Sequence, residues 1–175
     1  NKTKIKTSLF IVSSFLIPAI MMFFIYPPHK ESTGTSDHIP LIKEMVIIMY
    51  VILDTTLRNI LHGTDSYFTV FKVGLGINFY ALSSYYLGSF FSPLVYFFNA
   101  QSMPDAVYLI TLLKFGAIGL STYISLHGMF SKILDPGSYP FNSFALMSFA
   151  ISQIEIKTWL DVFILAPLIL YGSKN

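Results

Sequence analysis

The sequence predicts an all-α, polytopic transmembrane protein, and three observations carry that expectation. Only 11% of its 175 residues are charged, while 54% are hydrophobic, against about 25% charged in soluble domains. The mean hydropathy is +0.63. Stretches almost free of charge run over 9–26, 80–98 and 106–129, close to the roughly 20 residues that a helix needs to cross ~30 Å of hydrocarbon.

The same composition excludes several function classes. A formal charge of +2, with basic residues set singly along the chain, gives no footprint for nucleic acid. The absence of cysteine excludes disulfides, thiol catalysis and thiolate metal sites. The chain opens at Asn1 and stops after an apolar run at Ser173, Lys174 and Asn175. It is expected to be one membrane domain, 1–175, with both ends cut.

The first span is expected over 9–26. Lys2, Lys4 and Lys6 precede it, which puts the N-terminus in the cytoplasm under the positive-inside bias. Pro27, Pro28 and His29 follow a bulky stretch and offer no small-residue cleavage site, so the segment reads as an anchor and not a leader. Pro28 then emerges on the outer face and begins a long extracytoplasmic loop, 28–104.

That loop opens with the turn-rich PPHKESTGTSDHIP. Between Leu41 and Leu61 the chain is apolar but interrupted by Lys43, Glu44, Asp54 and Arg58; charges near the bilayer centre are costly, so a helix along the outer interface is expected. Asp54 and Arg58 are four residues apart and share a helical face, either as a solvated surface pair or as part of a site. The run 80–98 contains Ser83, Ser84, Gly88, Ser89, Ser92 and Pro93. If it lies on or dips into the outer face, the remaining spans fall at 106–129, 141–154 and 161–172. Lys2, Lys4, Lys6, Lys132 and Lys174 then all face the cytoplasm, the arrangement favoured by positive-inside counting.

In this topology the outer face collects Asp37, Glu44, Asp54, Arg58, Tyr85, Tyr86, Glu155, Trp159 and Asp161. Carboxylates and aromatics together are the composition of a carbohydrate site, although Trp and Tyr also form ordinary interfacial belts. Lys114 lies inside the run 106–129, where an ionisable side chain needs protein or water around it and a partner. It is expected either to hold a lipid phosphate or to pair with a carboxylate that ties helices together, and Gly116 and Gly119 nearby allow close helix packing.

Other chemistry finds little support. Gly74, Leu75 and Gly76 lack the third glycine and the strand-turn-helix setting of a nucleotide loop. The histidines His29, His38, His62 and His127 form no i, i+4 metal pair, and no serine stands in G-x-S-x-G. What remains is acid–base work by a carboxylate at the membrane surface. Asp37, among Gly34, Thr35 and Ser36, is accessible for it; the competing reading is a cap for a helix starting near Pro40.

A first span, TGTSD in the outer loop, then LRNILHG, GLGINFYALSSYYLGSFFSPL, DAVYLITLLKFGAIGLSTY, SFALMSFAIS and WLDVFILAPLILYG in that order resemble the bacterial YfhO-type membrane proteins. Those proteins are similar to the GT-C glycosyltransferases, which use polyprenyl-phosphate sugars on the outer face of the membrane. The resemblance implies a GT-C-like fold and a catalytic carboxylate at Asp37, in the first outer loop. Family members often carry a Gln-rich segment ending in Tyr after this Asp. Here IKEMVIIMY stands in its place, with Tyr50 retained, which leaves Glu44 and Asp54 as alternatives to Asp37. The resemblance further implies that Asp161 borders the same cavity and that Lys114 matches the family's lysine in LLK.

The expected activity is transfer of a sugar from an undecaprenyl-phosphate carrier to a cell-envelope polymer such as teichoic acid. Asp37 would serve as base, Arg58 or Lys114 would meet the departing phosphate, and Tyr85, Tyr86, Trp159 and Asp161 would line the substrate site. No metal ligand set is read, and a divalent cation is left open. The alternative is a non-catalytic membrane scaffold or transporter subunit.

Overall fold

The computed structural model describes residues 2–25, 44–63, 78, 80, 88–130, 150 and 159–174. Among them run the α-helices α1 (Lys2–Ile25), α2 (Glu44–Leu61), α3 (Met103–Phe130) and α4 (Trp159–Gly172), with short 3-10 helices at Ser92–Phe97 and Ala100–Ser102. No strand occurs among the described residues. The chain divides into two compact units, Asn1–Thr35 with Thr111–Asn175, and Ser36–Ile110.

In the first unit, α1 starts seven residues before the apolar run expected at 9–26, and its span-forming part is Thr7–Ile25. α3 likewise exceeds the expected 106–129; Pro104 in its first turn carries no N–H to waste, and Asp105 faces the positive end of the helix. Both helices are long and apolar enough to cross a membrane. Leu9, Ile20 and Phe24 of α1 and Val162, Ile169 and Leu170 of α4 are exposed, as side chains facing lipid would be. The expected span 141–154 lies outside the described residues except for Ala150.

Lipid tails are as apolar as leucine, so helices in a bilayer associate by close packing and not by expulsion of water. α1 and α3 achieve it at Gly119. Pro18 has no N–H to give the carbonyl of Ser14 four residues earlier, and that carbonyl and the Pro18 ring both crowd the space where a Gly119 Cβ would stand, the ring carbon at 2.7 Å. One helix thus presents the ridge that its proline makes, and the other the groove of a missing side chain. A Cβ at Gly116 would lie 2.6 Å from the Phe15 ring. The buried hydroxyls of Ser121, Thr122 and Ser125 bond back to the carbonyls of Ile118 and Ser121 at 2.7–3.0 Å, so α3 carries polar residues without leaving them unsatisfied.

In the second unit, Tyr50 and Leu53 of α2 lie one turn apart on one face. They bury themselves with Val95 of the first 3-10 helix and with Met103, Ala106, Val107 and Ile110 of the first turns of α3. α2 ends at Gly63, whose φ of +70° is the left-handed conformation that terminates helices. Residues 88–98 are turn and 3-10 helix, not α-helix. The Ser89 hydroxyl accepts the Phe91 N–H at 3.2 Å, and the Ser89 carbonyl accepts that of Ser92 at 3.1 Å.

Candidate functional site

Lys114 and Asp161 form the most consequential polar contact in the first unit. Lys114 lies eleven residues into α3, roughly 16 Å along its axis at 1.5 Å per residue, and its side chain is only 1% exposed. Its Nζ is 3.1 Å from Oδ1 of Asp161, in the first turn of α4. Leu160 and Phe115, both fully buried, adjoin the pair in sequence. Of the two expectations for Lys114, the carboxylate partner is the one observed.

The Asp161 carboxylate is not exhausted by this contact. The residue is 8% exposed, yet neither of its side-chain oxygens receives an aligned hydrogen bond. An Asp in the first helical turn commonly accepts the free backbone N–H groups there. Asp161 turns to the lysine instead. A carboxylate offers about four acceptor positions, and here both oxygens are sealed from solvent.

In the second unit, Arg58 is the organising cation. Its Nε donates to both oxygens of Asp54 at 2.9 and 3.0 Å, and its Nη2 donates to the carbonyls of Tyr96 and Phe98 at 2.7 and 3.1 Å. The guanidinium also lies 4.7 Å from the centre of the Tyr96 ring. Hydrogen bonding to Asp54, aided by that carboxylate's charge and opposed by partial burial, raises the Arg58 pKa further above its ordinary value. The pair is more than a solvated surface bridge: Asp54 is buried, and the arginine fastens α2 to the backbone that closes the Ser92–Phe97 turn. Its Nη1 makes no hydrogen bond among the described residues.

The remaining site residues fall outside this description. Asp37, Tyr85 and Tyr86 lie outside the described residues, and so do the side chains of Glu44 and Trp159. Among the described residues no group of three or more metal-ligating side chains occurs. Sequence reasoning paired Asp54 with Arg58 but missed the carbonyls of Tyr96 and Phe98, for which no side-chain signal exists. It named Lys114 and Asp161 separately. The signal that could have joined them is the requirement that an intramembrane lysine find a carboxylate, with Glu155 and Asp161 the acidic residues nearest the next apolar helix.

Two apolar helices of spanning length, and a buried lysine–aspartate pair joining one of them to a shorter apolar helix, are the features of a helical membrane protein. Residues 13–175 match the family model described as bacterial membrane protein YfhO. The chain belongs to that family. No curated protein and no solved structure matches it.

Proposed function

We propose that this chain is part of a membrane glycosyltransferase that moves a sugar from a polyprenyl-phosphate carrier to a cell-envelope acceptor, such as teichoic acid, on the outer face of the membrane. The observation that carries this reading is membership of the YfhO family over nearly the whole chain, whose resemblance to GT-C enzymes supplies the reaction class. In this reading Asp37 takes the proton from the acceptor hydroxyl as it attacks the anomeric carbon, with Glu44 and Asp54 the alternatives. The displaced lipid phosphate leaves as an anion, and displacement by a single attack inverts the anomeric centre.

Arg58 is the better candidate for meeting that phosphate, because Nη1 has no partner among the described residues while Nε and Nη2 hold the group still. Lys114 already faces a carboxylate. Tyr85, Tyr86 and Trp159 supply aromatic surface for the sugar. The protein is multi-pass with its N-terminus in the cytoplasm; the irregular backbone over 88–98 supports the topology in which 80–98 does not cross, since a spanning segment must satisfy its backbone within a helix.

The test is Asp37→Asn in the full-length protein. Loss of a general base typically costs 10²–10⁴-fold in rate, so the variant should reach wild-type abundance in the membrane and lose envelope glycosylation. Retained glycosylation in Asp37→Asn, Glu44→Gln and Asp54→Asn alike would favour the non-catalytic scaffold or transporter subunit.

A further inference from the structure

We propose that the turn over 88–98 is a lipid anchor: Phe97, with Leu61 at the end of α2, enters the edge of the bilayer, while Arg58 holds Phe97 outward and lies at the level of the lipid phosphates. Placement of 80–98 on the outer face leaves open which side chains meet lipid; the geometry of the arginine clamp names them. The anchor serves whatever reaction the protein performs.

The turn sorts its own apolar side chains. Val95 is fully buried, and Phe91, Leu94 and Phe98 pack against the cluster formed with α2. Phe97 goes the other way and is 79% exposed, although few side chains gain more from leaving water. The backbone enforces this. The two carbonyls that receive Arg58 Nη2 belong to Tyr96 and Phe98, the neighbours of Phe97 on either side, and the Tyr96 ring stands edge-on to the Phe97 ring with centres 6.1 Å apart. Turning Phe97 toward the core would mean rotating the backbone that these bonds fix.

Leu61 stands three residues beyond Arg58, on the same flank of α2, and is 68% exposed. From Gly88 to Ser102 the chain carries no charged residue, and Asp54 is buried, so the clamp presents outward two apolar side chains and the partly exposed guanidinium. A phospholipid leaflet complements that surface, with acyl chains for the leucine and the ring and phosphates for the cation. It is the arrangement in which arginine lays its stem along apolar surface and keeps its charge among polar groups. A bilayer is also the partner always at hand, because the same chain carries helices of spanning length, which make any second contact with lipid intramolecular in effect.

The chain has no cysteine, so Phe97→Cys or Leu61→Cys in the full chain takes a single environment-sensitive fluorophore. Asp105→Cys, at an exposed charged residue, is the water-facing reference. Each protein is reconstituted into phosphatidylethanolamine–phosphatidylglycerol vesicles that contain lipids brominated near the top of their acyl chains, with iodide supplied on both sides. The labels at Phe97 and Leu61 should be quenched severalfold more by the brominated lipid than the label at Asp105, and severalfold less by iodide. Arg58→Gln, added to the Phe97→Cys chain, should reduce quenching by the brominated lipid; Arg58→Lys serves if that variant does not fold.

A Phe97 label quenched by iodide as fully as the reference would show the ring facing water and overturn the proposal. Shielding from iodide without quenching by bromine would show that protein, another segment of this chain or a second copy, covers the turn, and would overturn it equally. Unchanged bromine quenching in the Arg58 variants would remove the arginine from the device. None of these outcomes bears on the glycosyltransferase reading, which is tested at Asp37.

Discussion

Lys174 donates from Nζ to the carbonyl of Met129 at 3.1 Å, so the C-terminal ends of α3 and α4 meet. The lysine also lies 5.5 Å from the Phe130 ring, and a cation is favoured beside the carbonyl-rich end of a helix. With Lys114 facing Asp161 nearer the other ends, the two helices run in the same direction. Their C-terminal ends must then lie on one side of the membrane. Single cysteines at Phe130 and Ser173, in a chain that has none of its own, should respond identically to a membrane-impermeant maleimide. Both should be protected from outside in intact cells and both labelled after permeabilisation. A split result would refute the parallel arrangement.

The contact of Gly119 with Ser14 and Pro18 predicts a steep response to the smallest side chain. Gly119→Ala drives a methyl into backbone, which cannot step aside, and overpacking of this kind costs about 1–3 kcal/mol. Gly116→Ala meets only the Phe15 ring, a side chain that can turn, and should cost less. Thermal unfolding in detergent should rank Gly119→Ala below Gly116→Ala, and both below wild type.

Arg58 should be intolerant of lysine. A single ammonium cannot serve both oxygens of Asp54 and two carbonyls from a planar fork. Arg58→Lys should lower the melting temperature more than Thr55→Ala, a control whose exposed hydroxyl bonds only to its own helix, and Arg58→Ala should lower it further. The pH dependence has a definite sign. A group whose pKa is raised in the folded state, as this arginine's is, contributes fully below its unfolded value and loses that contribution only as pH climbs through the folded one. Between pH 6 and about 10 the arginine side of the clamp should add no slope to a stability curve.

For the intramembrane pair, single and double replacements should diverge. Lys114→Met or Asp161→Leu alone strands one buried charge, at a cost of about 3–5 kcal/mol, whereas replacing both with apolar groups of similar size should be close to neutral. Protease resistance and melting temperature of the four proteins give the coupling directly. Additive losses would mean that the two side chains do not depend on one another.

The elements most legible in the sequence were those whose physics is local. Length and apolarity marked α1 and α3, because a bilayer demands both, whereas apolarity alone marked the shorter α4. The charges within 41–61 argued against a span there, and α2 is the helix observed. Helix ends were less legible: Lys2–Lys6 and Met103–Asp105 extend α1 and α3 past their apolar limits, since a helix continues through polar residues until a cap or breaker stops it. The clamp on the carbonyls of Tyr96 and Phe98 was invisible, as any residue supplies a carbonyl. The join between Lys114 and Asp161 depends on which helices become neighbours, a property of packing that no local pattern records.

That join also sets an order of events in biosynthesis. Asp161 follows Lys114 by 47 residues, and ribosomes add about 5–20 residues per second. The lysine therefore precedes its carboxylate out of the ribosome by roughly 2–10 seconds. A lysine within hydrocarbon is costly, and the arrival of α4 is the step that brings α3 this carboxylate.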